Sequence, residues 1–132
     1  MKDQPKRLGD AELEIMQILW AAPQPEVTAG YILERLQKTR PWPLPTLMTV
    51  LGRLVEKGFL ACRRPARNNL YTPLVGEEEY RAAESKTFLD KLYGSSFTSL
   101  VSTLYGSKVI GRDDVAELRR FLDELEEKED TP

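Results

Sequence analysis

The chain has 132 residues, 41% of them apolar and 30% charged, with a net charge of −2, one cysteine and no histidine. That composition suits one or two small domains sharing a modest core, and it excludes a disulfide framework, Cys/His metal ligation and every histidine-based nucleophile. The apolar runs are short and interrupted by charge, and the opening "MKDQPKRLGD" lacks a signal peptide's apolar stretch, so a cytoplasmic protein without membrane insertion is expected.

In chain order, Asp10 is placed to cap a first helix, "AELEIMQILW", in which Leu13, Met16 and Trp20 recur at helical spacing beside Ile15, Ile18 and Leu19. "AAPQPEV" breaks the pattern. Thr28 then caps a second helix, "AGYILERLQK", with Ile32, Leu33 and Leu36 on one stripe, and "TRPWPLP" closes it. Pro45 suits the first position of a third helix running to Lys57, with Gly58 as its left-handed cap. Leu47, Val50, Leu51 and Leu54 share its apolar face, while Thr46, Thr49, Arg53 and Glu56 lie opposite. "FLACRR" and "LYTPL" read as two short strands joined by the turn-forming "PARNN". Cys62, in the first of these strands, is read as a small buried filler, and Trp20 and Trp42 as core or helix-packing residues.

Charge is segregated. Residues 1–75 hold 11 basic and 7 acidic side chains, whereas residues 76–132 hold 8 basic and 14 acidic. Arg35, Lys38, Arg40, Arg53, Lys57, Arg63, Arg64 and Arg67 face a single acid, Glu56, within one segment. Such asymmetry points to nucleic acid or another anionic partner. Three helices and a basic hairpin make a winged helix-turn-helix, in which the third helix enters the major groove of double-stranded DNA and the hairpin, the wing, lies along phosphate.

The residues fit those roles. Thr46 and Thr49 offer hydroxyls to phosphate or base edges and methyls to thymine, Arg53 is placed for the backbone, and Gly52 permits close approach. Arg63, Arg64 and Arg67, with Asn68 and Asn69 at the tip, can neutralise phosphates without reading sequence. Each feature also has an ordinary explanation: helical threonines need no partner, Arg53 can pair with Glu56, and a charged edge hairpin resists aggregation. The rival function is a winged-helix protein-docking module that binds no DNA, although such a face would expose aromatic anchors rather than threonine and arginine at 46, 49 and 53. As for an enzyme, Glu77 and Glu78 are the candidate carboxylates and fit better as helix-start acids; no catalytic residue, metal or cofactor is expected.

The second half, residues 76–132, reads as three helices: "GEEEYRAAESKTFLDKLYG" ended by Gly94, "SFTSLVSTLYG", and "GRDDVAELRRFLDELEEK". These are too few to close a core, so a homodimer is expected to cover them. The contact residues expected are Phe88, Leu92, Leu100 and Leu104, together with the stripe Val115, Leu118, Phe121, Leu122 and Leu125. The fold expected is thus mainly α, with a winged helix-turn-helix DNA-binding domain over residues 1–75 and a helical dimerisation domain over 76–132.

Taken in order, "LGDAELEIMQILW", "TLMTVLGRLVEKGFL", "LYTPLVGEEEYRAAESKTFLDKLYG", "SFTSLVSTLY" and "DDVAELRRFLDELEEK" resemble the penicillinase repressors of BlaI/MecI type over nearly the whole chain. The resemblance implies a dimeric winged-helix repressor on a palindromic operator, inactivated when a membrane sensor metalloprotease leads to its cleavage. By position Thr46, Thr49 and Arg53 match the family's recognition-helix residues, and Tyr71 a wing aromatic. The chain departs from the family at Pro45 and Met48, where characterised members present longer basic side chains. It departs again at the aligned cleavage pair, Thr103–Leu104 in place of an Asn–Phe step. "LEEKEDTP" lacks the cysteine cluster of the copper-responsive branch, so copper sensing is not expected.

Overall fold

The structure, a computed structural model, describes residues 7–130, which form six helices and three short strands. They divide into two compact units at the Ser85–Lys86 junction.

The first unit is a winged helix. Helix α1 (Asp10–Ala21) starts one residue earlier than its acidic cap suggests: Gly9 is the N-cap, and its amide donates to Glu12 Oε1 at 2.9 Å. A short strand, β1 (Val27–Thr28), leads directly into α2 (Ala29–Leu36), where Thr28 Oγ1 accepts the Tyr31 amide at 3.1 Å as expected of a cap. Helix α3 (Leu44–Glu56) has Pro45 at its second position, one later than expected; an amide there would have no intrahelical acceptor either. Gly58 ends α3 at φ +88°, with its own amide on the Val55 carbonyl at 3.0 Å and that of Phe59 on the Leu54 carbonyl at 2.9 Å. This double closure satisfies two orphan carbonyls and turns the chain into β2 (Leu60–Arg63).

Strands β2 and β3 (Leu70–Pro73) form the wing, but β1 adds on the far side, giving an antiparallel sheet of order β1-β3-β2. A two-residue strand has no periodicity to read, which is why the sequence showed only a hairpin. Its presence makes β3 central. Tyr71 then lies opposite both Val27 and Cys62 and is buried, correcting its expected place on the wing surface. Cys62 sits on the edge strand beyond the core and is exposed, so it fills nothing. The core joins Ile15, Met16 and Leu19 of α1, Ile32 and Leu36 of α2, and Leu47, Leu51 and Leu54 of α3 to Phe59 and Leu60. Trp20 and Trp42 pack partly buried against it, Trp20 Nε1 donating to the Val75 carbonyl at 2.9 Å.

Helix α4 (Glu77–Tyr93) contributes to this unit through Tyr80, whose ring packs on Trp20 and Phe59 and whose buried hydroxyl accepts the Leu8 amide at 3.0 Å. The geometric division therefore falls inside α4 and not where the charge changes sign near residue 75.

The second unit holds the rest of α4, then α5 (Phe97–Gly106) and α6 (Arg112–Asp130). Gly94, at φ +54°, ends α4, and Ser96 caps α5 by accepting the Ser99 amide at 3.1 Å. Asp114 Oδ2 takes the Gly111 amide at 2.8 Å at the start of α6. No residue from 86 to 129 is buried.

Candidate nucleic-acid interface

Burial of Leu47, Val50, Leu51 and Leu54 fixes how α3 is rotated, and with it what the helix presents outward. Pro45, Thr49, Gly52 and Glu56 are exposed along the outward line, with Thr46 and Arg53 on the flank toward α1 and Leu44 and Met48 on the flank toward the wing. Between Leu44 and Val55 there is no carboxylate. Thr46, Thr49 and Arg53 therefore share the exposed side expected of them. Thr49 nevertheless offers less than its formula suggests: its hydroxyl donates to the Pro45 carbonyl one turn back, at 3.1 Å, leaving a methyl and an acceptor on the surface. Gly52 is open, since a Cβ built there would meet no heavy atom within 4 Å.

A hollow lies on either flank. On the α1 side, about 660 Å³ is lined by Thr46, Thr49, Arg53 and Trp42 together with Gly9–Glu12. On the wing side, about 430 Å³ opens between Leu44 and Met48 of α3, the start of α2 at Thr28–Gly30, and Arg64, Arg67, Asn68 and Asn69 of the wing turn. The wing tip and α3 thus form the two walls of one concave surface, as a duplex backbone entering between them requires.

The cations of the basic segment divide into two groups. Arg40 pairs with Glu14 at 2.7 Å and Lys57 with Glu12 at 2.6 Å. Arg63 forms a two-pronged ion pair with Glu26, its Nη2 donating to Oε1 at 2.7 Å. Arg35 stacks over the Tyr31 ring at 3.5 Å. Three acids outside the segment, Glu12, Glu14 and Glu26, thereby neutralise much of what looked like free positive charge. The Arg63 hydrogen bond and charge hold the Glu26 carboxyl below its ordinary range. Glu12 is also held low: burial pushes it up, but the Lys57 hydrogen bond, the Gly9 amide and the charges of Lys57 and Arg53 outweigh that.

Among the described residues Arg53, Arg64, Arg67 and Lys38 make no ion pair, and Lys38 lines a separate hollow between α1 and α2. Arg53, Arg64 and Arg67 are therefore the cations available on the α3–wing surface; Arg64 Nε donates to the Arg67 carbonyl at 3.1 Å, fixing the turn between them. The Arg63 guanidinium is occupied by Glu26, 37 positions away, which takes it out of the unpaired cations of the wing. Tyr71 is occupied as well: its hydroxyl faces Asn69 Nδ2 at 3.3 Å and Met48 Sδ at 4.0 Å, so it braces the wing against α3. Asn68 stays exposed at the tip. Leu44, Ala29 and Gly30 were not singled out in the sequence, although the helical wheel that buries Leu47 and Leu51 already places Leu44 at the edge of the exposed side.

No helix among the described residues is long and apolar enough to cross a membrane. The family model described as penicillinase repressor matches residues 8–124. The penicillinase repressor of Bacillus licheniformis is 30% identical over 118 residues, which is 89% of this chain and 91% of that protein. The methicillin resistance regulatory protein MecI of Mammaliicoccus sciuri is 31% identical over 122 residues, 92% of this chain and 98% of that one. The solved DNA-binding domain of the repressor BlaI superposes with a TM-score of 0.50 at 35% identity, covering 61% of this chain and 94% of that domain.

Proposed function

The chain belongs to the penicillinase repressor family, and from that premise we propose that it represses transcription as a homodimer seated on a two-fold symmetric operator. It is a DNA-binding repressor. The observation that carries this onto the chain's own residues is the outer side of α3, free of acids from Leu44 to Val55, bordered by Arg53 and by a wing whose Arg64 and Arg67 have no carboxylate partner. On the duplex, α3 lies in the major groove with Thr46 and Thr49 at base edges or adjoining phosphates. Arg53 meets the backbone beside it, and Arg64, Arg67 and Asn68 follow the backbone under the wing. Arg63 and Tyr71 hold the wing in place and touch no DNA.

The homodimer reading rests on the second unit. Phe88, Leu92, Phe121, Leu122 and Leu125 are each more than two-fifths exposed, and Leu100, Leu104, Val115 and Leu118 are only partly covered. So many exposed apolar side chains in one small unit need a cover. A second copy using the same residues supplies it and places two recognition helices in the symmetric relation that a palindrome demands.

Three available cations per protomer set the test. The logarithm of operator affinity falls against the logarithm of salt concentration with a slope of about −2.7 per protomer, or about −5.4 for the dimer. A slope shallower than about −1 would refute the phosphate assignment, and a monomer in micromolar sedimentation would refute the dimer. Release by a membrane sensor metalloprotease, carried over from the family resemblance, would cut Thr103–Leu104. That bond lies within α5, its flanking carbonyls accepting the Ser107 amide at 3.0 Å and the Val109 amide at 2.9 Å, so cleavage there requires the end of α5 to unwind. A cut mapped elsewhere would remove that reading.

A further inference from the structure

The recognition helix is unusual in what its outer side lacks. Through the first two turns, Leu44 to Leu51, it carries no Arg, Lys, Asn or Gln, and so none of the side chains that make paired hydrogen bonds to guanine or adenine. Leu44 is 46% exposed, and Met48 lies half-buried between it and Tyr71 on the same helical edge. Pro45 and Gly52 add no polar group, and Thr49 has its hydroxyl hydrogen committed to the Pro45 carbonyl. Apart from Thr46 the surface is therefore apolar, yet it is walled by Arg64, Arg67, Asn68 and Asn69 across the 430 Å³ hollow and by Arg53 on the other flank, where Asp10 and Glu12 also line the hollow. An apolar protein partner would gain nothing from that rim of cations, whereas a polyanion would. The one apolar group a polyanion presents in the major groove of unmodified DNA is the C5 methyl of thymine.

We infer that Leu44 and Met48, with the Thr49 methyl, read thymine methyl groups, so that sequence preference comes from apolar contact with A·T pairs opposite the start of α3. This rests on the DNA-binding reading given above. Arg53, Arg64 and Arg67 supply affinity that does not depend on sequence, and Leu44 and Met48 supply discrimination.

The experiment uses the full chain and the tightest duplex recovered by selection from random DNA. Half-site thymines are replaced one at a time by deoxyuridine, which removes only the methyl. At the contacted positions each replacement weakens binding about fourfold, the worth of one buried methyl-sized group. Leu44→Ala, a change at an exposed site, brings the thymine-to-uracil ratio there close to one. Met48→Ala does the same, with its melting temperature measured alongside because that side chain is half-buried. Equal binding of the thymine and uracil duplexes overturns the inference, as does a ratio that survives in both variants, or a selected half-site of G·C pairs alone opposite α3. Failure to bind any duplex is a separate result: it removes the DNA-binding reading itself.

Discussion

Substituting Gly52 by alanine sets the stability of the fold against its function. A glycine in mid-helix destabilises by about 1 kcal/mol relative to alanine, because its backbone loses more freedom on folding. Gly52 gains nothing in return from the protein: its φ is not positive, and an added Cβ meets no heavy atom within 4 Å. Gly52→Ala should therefore stabilise the winged unit by about 1 kcal/mol and raise its melting temperature by about 4–8 °C. On the duplex the same methyl stands on the outward line of α3, between Thr49 and Arg53, where a tightly approached surface has no room for it. Overfilling a close contact by one methyl costs about 1–3 kcal/mol, or about fivefold to a hundredfold in operator Kd. Calorimetry or circular dichroism melting gives the first quantity and fluorescence anisotropy with the selected operator the second. The reasoning requires opposite signs. A lower melting temperature would show that Gly52 is needed for folding, and a stabilised variant with unchanged operator affinity would show that this side of α3 does not face DNA.

Three further outcomes follow from individual contacts. Glu26→Gln releases Arg63 from its ion pair, so the salt slope of DNA binding should steepen by about 0.9 per protomer; an unchanged slope would mean that Arg63 points away from the duplex even when free. Tyr80→Phe keeps the ring contacts with Trp20 and Phe59 but strands the buried Leu8 amide, costing about 1–3 kcal/mol of winged-unit stability; no change in melting temperature would show that the amide finds another acceptor. Glu12 has its carboxyl held below the ordinary value of 4.5, so its contribution is present above that pH and lost as pH falls through the lowered value. Glu12→Gln should thus melt about 1 kcal/mol less stably at neutral pH and match the parent in strong acid; a difference that persists there would place the effect in packing.

What the sequence disclosed and what it hid follow from the range of the interactions concerned. The three winged-unit helices were legible because their apolar stripes, the Thr28 cap and the left-handed Gly58 act within one or two turns. The exposed side of α3 was legible for the same reason, since burying Leu47 and Leu51 fixes the rest of the wheel. The wing was misread where pairing runs between distant residues. Nothing within the β-hairpin announces that Val27 will pair with Tyr71 and bury it. Likewise, counting charge along the chain credited Arg40, Lys57 and Arg63 to a free basic surface, because Glu14, Glu12 and Glu26 reach them from the start of the chain. Tyr80 shows the converse: a residue assigned by composition to the acidic half is tied by its hydroxyl to Leu8.

Exposed apolar residues recur in both units, and the charge around each patch decides what can cover it. Leu44 and Met48 form a small patch rimmed by Arg53, Arg64 and Arg67, where an anionic partner recovers Coulomb energy along with the buried area. In the second unit Phe121, Leu122 and Leu125 are interleaved with Glu117, Asp123, Glu124 and Glu126 on one helix. A duplex brought to that helix would set phosphates against carboxylates and meet strong repulsion. A second copy can instead align its apolar stripe along the first and leave both sets of acids facing water. The carboxylates of α6 therefore turn a duplex away from that stripe, while the cations around Leu44 and Met48 favour one.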